Sequence, residues 1–371
     1  MTENRANVEE GHTFMTASDK VTLAQRKSRS LPLDLWPEAD RNAWVAACQP
    51  ATRLKLGGAA GHLKPVTVND HAAQYGNFLG FLDRGSLLRR DRPPAANVTP
   101  ENVGAYLIEL KDRVAATTLH CSMYKLRRAA QFIAPGRDFT WLAEIDKDLA
   151  LVAWPRSKFD RLVLTEVLVD AGLTLIHEAE HSVGKTKLTR AFQVRNGLMV
   201  ALLALCPIRR KNFAALEIGR SFVKIRGTWW IVLSASETKE NRADERPINE
   251  LLTPTIDRYL AQYRPVLARS DDASSALWLS ANDGTPISDK QVTLLIRMTT
   301  VSSVGVAVSP HLFRTSAASS IAVVAGDNPY LGSALLHHTH PNVTNAHYNR
   351  ATSLSAAENF RRVVRQYQKN D

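Results

Sequence analysis

Apolar positions recur every three to four residues along most of this chain, and that spacing predicts helices. Thr99-Pro100-Glu101 reads as an N-cap, a first-turn proline and a first-turn acid. Val103, Tyr106, Leu107 and Leu110 follow at helical spacing. From Thr117 to Ile133, Leu119, Met123, Leu126 and Ala130 share one side. Tyr124, Lys125, Arg127 and Arg128 occupy the others, and Pro135-Gly136 stops the run. No alternating pattern interrupts residues 31–153, which predicts an all-α domain. Residues 1–30 are polar and aperiodic and read as a flexible arm.

The pattern breaks at Trp154-Pro155-Arg156-Ser157-Lys158, a linker that opens a second domain over residues 155–371. Helices are predicted near 160–180 and 187–206, the latter with a Val194, Leu198, Leu202, Leu205 stripe ended by Pro207. The period then changes. Phe222–Ile225, Trp229–Ser234 and Arg246–Ile248 read as short strands, the first two joined by Arg226-Gly227-Thr228. Thr253-Pro254 is expected to cap a further helix, and helices continue to the end. The expected fold is mainly α: an all-α domain, then an α+β domain with helices around a small antiparallel three-stranded sheet.

Composition narrows the function. With 371 residues, 44% hydrophobic and 22% charged, the chain suits two soluble domains. It has no apolar run near the roughly 20 residues that span a bilayer. Its first residues lack a signal peptide's apolar stretch, so a cytoplasmic location is expected. The three cysteines, Cys48, Cys121 and Cys206, have no C-x-x-C spacing, against both a disulfide framework and a thiolate zinc site. A formal charge of +11 points to an anionic partner, nucleic acid before membrane, because no basic amphipathic helix with a strongly apolar face stands out.

Four patches in the second half could carry chemistry, and each also has a plain structural explanation. Pro207-Ile208-Arg209-Arg210-Lys211-Asn212 could simply cap the preceding helix. Glu237-Thr238-Lys239-Glu240-Asn241-Arg242 could be a solvated loop between strands. His311-Leu312-Phe313-Arg314 puts an imidazole and a guanidinium on one helix face. The fourth patch runs from Leu335 through His337-His338-Thr339-His340 to Ala346-His347-Tyr348, whose tyrosine could merely pack.

In order, however, an Arg, a Lys on a strand-linking loop, His-x-x-Arg, a His and a Tyr resemble the tyrosine recombinase (phage integrase) family over residues 160–360. The first half resembles, more weakly, that family's helical core-binding domain. The resemblance places Arg209 at the family's first arginine, Lys239 at its loop lysine, and His311 and Arg314 at its His-x-x-Arg box. It places His338 at the late histidine and Tyr348 at the nucleophile. Three positions depart from the pattern. His337 replaces a glycine, Asn212 replaces a glutamate, and Tyr348 follows His338 by ten residues where nine is commoner. Either His337 or His338 could contact the phosphate, and Arg210 rivals Arg209.

The resemblance implies DNA recombination or integration through a 3′-phosphotyrosyl link, with no ATP, metal or other cofactor. Expected partners are double-stranded DNA, three further copies in a tetramer on paired sites, and other recombinases. Guanidiniums bind phosphate oxygens bidentately, the role expected of Arg209 and Arg314. His311 would activate the phenol, Lys239 would protonate the leaving 5′-oxygen, and His338 would hold the scissile phosphate. Arg84, Arg89, Arg90, Arg92, Lys125, Arg127 and Arg128 of the first half, with Arg210 of the second, are expected on the DNA backbone. Alternatives are an inactive DNA-binding protein of the same fold and a type IB topoisomerase-like strand transferase. A metal hydrolase using His337, His338, His340 and His347 is disfavoured because no acid lies between Asp327 and Glu358.

Overall fold

The computed structural model describes residues 29–154, 159–239, 241–268 and 274–324. The chain divides into two compact units, Met1–Arg156 and Ser157–Asp371. The first 28 residues of the expected arm and the linker residues 155–158 lie outside the described residues.

In the first unit the described residues form five α-helices and no named strand. These are α1 (Glu38–Ala47), α2 (Pro65–Arg84), α3 (Pro100–Lys111), α4 (Ala116–Ile133) and α5 (Thr140–Val152). The Thr99 hydroxyl accepts from the Asn102 amide and starts α3 as its sequence predicts. The α4 stripe is buried, and Ala129, Phe132 and Ile133 widen it into an apolar face. Trp36, Trp44, Tyr75, Phe78 and Tyr106 fill the core with it.

At the centre of that core sits a charge. Asp40, 1% exposed, accepts from the Tyr75 hydroxyl at 2.9 Å and from the Ala95 amide at 2.7 Å. The carboxylate thereby links α1 to α2 and satisfies a buried amide in the turn before α3. Burial raises its pKa, an effect only partly offset by the Ala95 and Tyr75 hydrogen bonds.

The second unit is built around two helices, α6 (Thr165–His181) and α7 (Lys187–Leu205). They touch backbone to backbone where Gly172 meets Gly197. A Cβ on Gly172 would lie 2.7 Å from the Gly197 carbonyl oxygen, and one on Gly197 2.6 Å from that of Gly172. From Gly197 to Ala204 the α7 side chains are buried all round, so the helix is the unit's axis rather than a one-sided amphipathic element.

A short helix α8 (Arg210–Ala214) follows, then an antiparallel sheet in the order β1 (Phe222–Ile225), β2 (Thr228–Leu233), β3 (Asp244–Pro247). Trp229, Ile231 and Leu233 of β2 alternate into the core. The β1–β2 hairpin turns on Arg226 and Gly227, with φ of +49° and +87°. This two-residue connection matches strand twist when both residues are left-handed. Strand β3 begins at Asp244, two residues before the apolar pattern predicts. Asp244 is nearly buried and bound by the Arg246 guanidinium at 2.6 and 2.9 Å, a charge pair that hydrophobic alternation does not register.

Thr253 opens α9 (Thr253–Arg258) as its first residue rather than as its cap. The helix runs through a π turn (Tyr259–Tyr263) into α10 (Arg264–Ala268). The remaining described helices are α11 (Asp289–Val304), opened by a Ser288–Gln291 capping box and closed by left-handed Gly305, and α12 (Pro310–Val324).

Replacing Asp40 by Ala strands the Tyr75 hydroxyl and the Ala95 amide, and is expected to destabilise the first unit by about 3 kcal/mol. Asp40→Asn keeps an acceptor and should lose much less, both read from urea unfolding midpoints. Because the folded pKa is raised, this group favours folding below its unfolded value of about 3.9. That contribution is lost as pH rises through the folded value. The asparagine variant should lack this pH dependence.

Candidate active site

Three of the four patches come together in the second unit. Arg209, Arg210, Lys211, Lys239, Thr293, Ser309, Pro310, His311 and Arg314 line one cleft of about 520 Å³. They come from the turn after α7, the β2–β3 connection, α11 and the start of α12. No acidic side chain lines the cleft among the described residues. Five permanent or near-permanent cations and one imidazole therefore face a shared concave space, which focuses a positive potential on anything within it.

Local devices position the segments that carry these cations. Helix α7 ends at Cys206, whose amide donates back to Leu202, and the chain leaves through Pro207 and Ile208. Arg209 is the N-cap of α8, extended at φ −67° and ψ 140°, and its carbonyl accepts from the Phe213 amide at 2.9 Å. The Trp278 indole donates to the Phe213 carbonyl at 2.9 Å and anchors this turn to the core.

On α12, Leu312 and Phe313 point into the core, 3% and 0% exposed, while His311 stays exposed in the first turn. Arg314 is buried, and its guanidinium donates to the Pro207 carbonyl. One side chain thus joins the His-x-x-Arg helix to the turn that carries Arg209. The Val308 amide, bonded to the Thr300 hydroxyl at 2.9 Å, fixes the approach to α12.

Lys239 is exposed at the far wall. Ser234 and Glu237 form a capping box just before it, and Glu237 also binds Arg220 at 2.8 Å. Arg220 in turn binds Glu217 at 2.7 Å, and these ion pairs lower the pKa of both glutamates. The Thr238 hydroxyl donates towards the carbonyls of Ala235 at 3.1 Å and Arg242 at 2.8 Å, and accepts from the Arg242 amide at 3.0 Å. The loop is therefore fastened on both sides of the lysine.

Arg210 and Arg209 differ in setting. Arg210 is exposed and held by Asp289 at 2.7 Å, with Thr293 at 3.5 Å, so it belongs to the rim. Arg209 is half-buried on the cleft wall. Lys211, Thr293 and Ser309 also line the cleft but were not singled out from the sequence. Lys211 lay inside the basic patch, whereas nothing in the sequence links Thr293 or Ser309 to it. His337, His338 and Tyr348 lie outside the described residues.

The first unit's basic residues are placed differently. Arg84 pairs with Glu109 at 3.3 Å, Arg90 with Asp83 at 2.9 Å and Lys125 with Asp70 at 2.7 Å. Arg128 lies over Phe132 and bonds Gln131. Arg89 and Arg92 are exposed. Arg127 is turned inward, its side chain 17% exposed and bound to Asp146 at 2.8 Å. Among the described residues there is no group of three His, Cys, Asp or Glu able to hold a metal, and no helix long and apolar enough to cross a membrane.

No family model matches the chain, and no curated protein does. Solved structures do match. A XerH site-specific recombinase bound to palindromic difH substrate, a post-cleavage complex, aligns with TM-score 0.54 and 12% identity, covering 89% of this chain and 98% of that one. A XerH pre-cleavage complex on difH aligns with TM-score 0.52 and 13% identity over 76% of each chain. A XerA recombinase matches at 15% identity over 81% of this chain and 94% of that one, with TM-score 0.37, too distant to bear on the fold. The chain has the fold of the tyrosine recombinases.

Thr238→Val removes every hydrogen bond of that buried hydroxyl and should destabilise the second unit by about 2 kcal/mol. Amide exchange at Arg242 should quicken, while Thr238→Ser retains its protection. Urea denaturation with hydrogen-exchange mass spectrometry checks both.

Proposed function

We propose that this chain is a tyrosine-type DNA recombinase that breaks and rejoins strands through a 3′-phosphotyrosyl intermediate. One observation carries the reading. Arg209, Lys239, His311 and Arg314, spread over more than a hundred residues of sequence, line a single cleft that has no acidic side chain among the described residues. The recombinase fold and the DNA-bound state of the XerH structures support it.

In this mechanism Arg209 and Arg314 hold the non-bridging oxygens of the scissile phosphodiester. Their charge stabilises the additional negative charge that develops during attack. The phenol of Tyr348 attacks phosphorus and loses its proton, with His311 as the base or orienting group. The bond to the 5′-oxygen breaks, and Lys239 protonates that oxygen as it leaves. His338, or His337 beside it, completes the phosphate contacts. The phosphotyrosyl ester conserves the bond energy, so a second strand's 5′-hydroxyl reverses the step. The chemistry asks for neither metal nor ATP.

Arg84, Arg89, Arg90, Lys125 and Arg128 would place the first unit along the phosphates of duplex DNA. Arg127 would serve it mainly through Asp146. Recombination needs paired sites, so self-association into a tetramer, alone or with partner recombinases, follows from the reading.

Incubated with nicked DNA carrying a target site, the protein should form an adduct that survives denaturant. Tyr348→Phe should lose the adduct and keep DNA affinity. Arg209→Ala or Arg314→Ala should slow adduct formation about 100- to 1,000-fold, whereas Arg210→Ala should slow it far less. A 5′-thio leaving group needs no proton, so it should restore Lys239→Ala but not Arg209→Ala. An adduct that survives Tyr348→Phe refutes the assignment; DNA binding with no adduct at all would mark an inactive relative of the same fold.

A further inference from the structure

We infer that the loop between α1 and α2 is a groove-binding wedge for duplex DNA, with Leu54 and Leu56 as its apolar edge. Leu54 is 100% exposed and Leu56 95%, two residues apart on the connection between the helices. Exposure of this extent at a floppy tip would mean little. Here the connection is built. The Thr52 amide donates to the Lys55 carbonyl at 2.9 Å, closing a tight turn with Arg53 and Leu54 at its apex. The Gly58 amide donates to Gln49 at 2.9 Å and the Ala60 amide to Ala47 at 2.8 Å, tying the loop to the end of α1.

Glycines make that close packing possible. A Cβ at Gly58 would lie 2.3 Å from the Ala46 carbonyl oxygen, and one at Gly61 2.1 Å from that of Gln49. The loop folds flat against α1, Ala60 is fully buried in the core, and the two leucines are carried outward on a fixed base. Such preorganisation lowers the ordering penalty on binding.

Charge selects the partner. Arg53 and Lys55 flank Leu54, His62 and Lys64 follow, and no Asp or Glu occurs anywhere between Asp40 and Asp70. Two copies of so basic a loop repel each other, which disfavours a symmetric contact between protomers. Aliphatic side chains beside Arg and Lys suit the floor and walls of a DNA minor groove. There apolar wedges press on base and sugar edges while cations reach the phosphates. The inference rests on DNA being the partner under the proposed function, but not on the cleavage chemistry, which belongs to the second unit.

The test uses the full chain and a mixed-sequence duplex. Because both leucines are almost fully exposed, Leu54→Ser with Leu56→Ser should leave thermal stability unchanged and weaken DNA binding about 10-fold. The salt dependence of binding should stay the same. Arg53→Gln and Lys55→Gln should each lower that salt slope by about one. A minor-groove drug preloaded on an A·T-rich duplex should erase the difference between parent and serine variant. Equal affinity of parent and serine variant overturns the wedge. So does a variant whose defect lies in sedimentation behaviour or in binding anionic vesicles instead. The covalent adduct is scored separately: a parent that forms adduct while the serine variant binds normally sinks the wedge alone, and a parent that binds through its leucines without forming adduct leaves only the chemistry in error.

Discussion

The geometry of the cleft depends on a buried hydrogen bond from the Arg314 guanidinium to the Pro207 carbonyl. It spans 107 residues of sequence and joins the start of α12 to the turn after α7. Buried cations are costly unless bonded, and an uncapped carbonyl at the end of a buried helix is costly too. The bond gives each of them a partner. A consequence is that the cleft's two arginine-bearing segments move as one body, because separating them would leave both a charge and a carbonyl buried without this bond.

Around that junction the cleft is furnished by elements that are rigid for unrelated reasons. Helix α7 is fixed because its second half is buried all round and it meets α6 at a glycine crossing. The Lys239 loop is fixed by polar ties, a capping box, an ion-pair chain through Arg220 and the Thr238 hydroxyl. Under the proposed mechanism, a positive cleft assembled this way would stabilise developing negative charge without having to reorganise. Arg210 shows the opposite arrangement. Its charge is balanced by Asp289 at the rim, so adjacent arginines have different electrostatic weight.

The first unit handles charge differently. Its deepest polar group is Asp40, held by a hydroxyl and an amide rather than by a cation. Several of its surface arginines and lysines are matched to acids, as Arg84, Arg90 and Lys125 show. The glycine-fastened loop that carries Leu54 and Leu56 adds Arg53 and Lys55 in a stretch with no Asp or Glu between Asp40 and Asp70. Exposed ion pairs contribute little stability, so under the proposed function the matched cations would exchange an acid for a phosphate at small cost.

Periodicity and punctuation determined much of this structure. The α3 cap, the α4 stripe, the end of α7 at Pro207 and the Arg226-Gly227 hairpin follow from local sterics and hydrogen bonding, which short stretches of sequence encode. The order of Arg209, Lys239, His311 and Arg314 likewise pointed to one site. Other features depend on contacts between distant residues, which no local pattern contains. The early start of β3 rests on the Asp244–Arg246 pair. The inward turn of Arg127 rests on Asp146, nineteen residues away. The separation of Arg209 from Arg210 rests on Asp289, and the inclusion of Thr293 in the cleft rests on where α11 packs. Local sequence fixes which groups are available and roughly where each element begins and ends. Only the packed chain decides which charges meet an opposite charge and which are left facing the cleft.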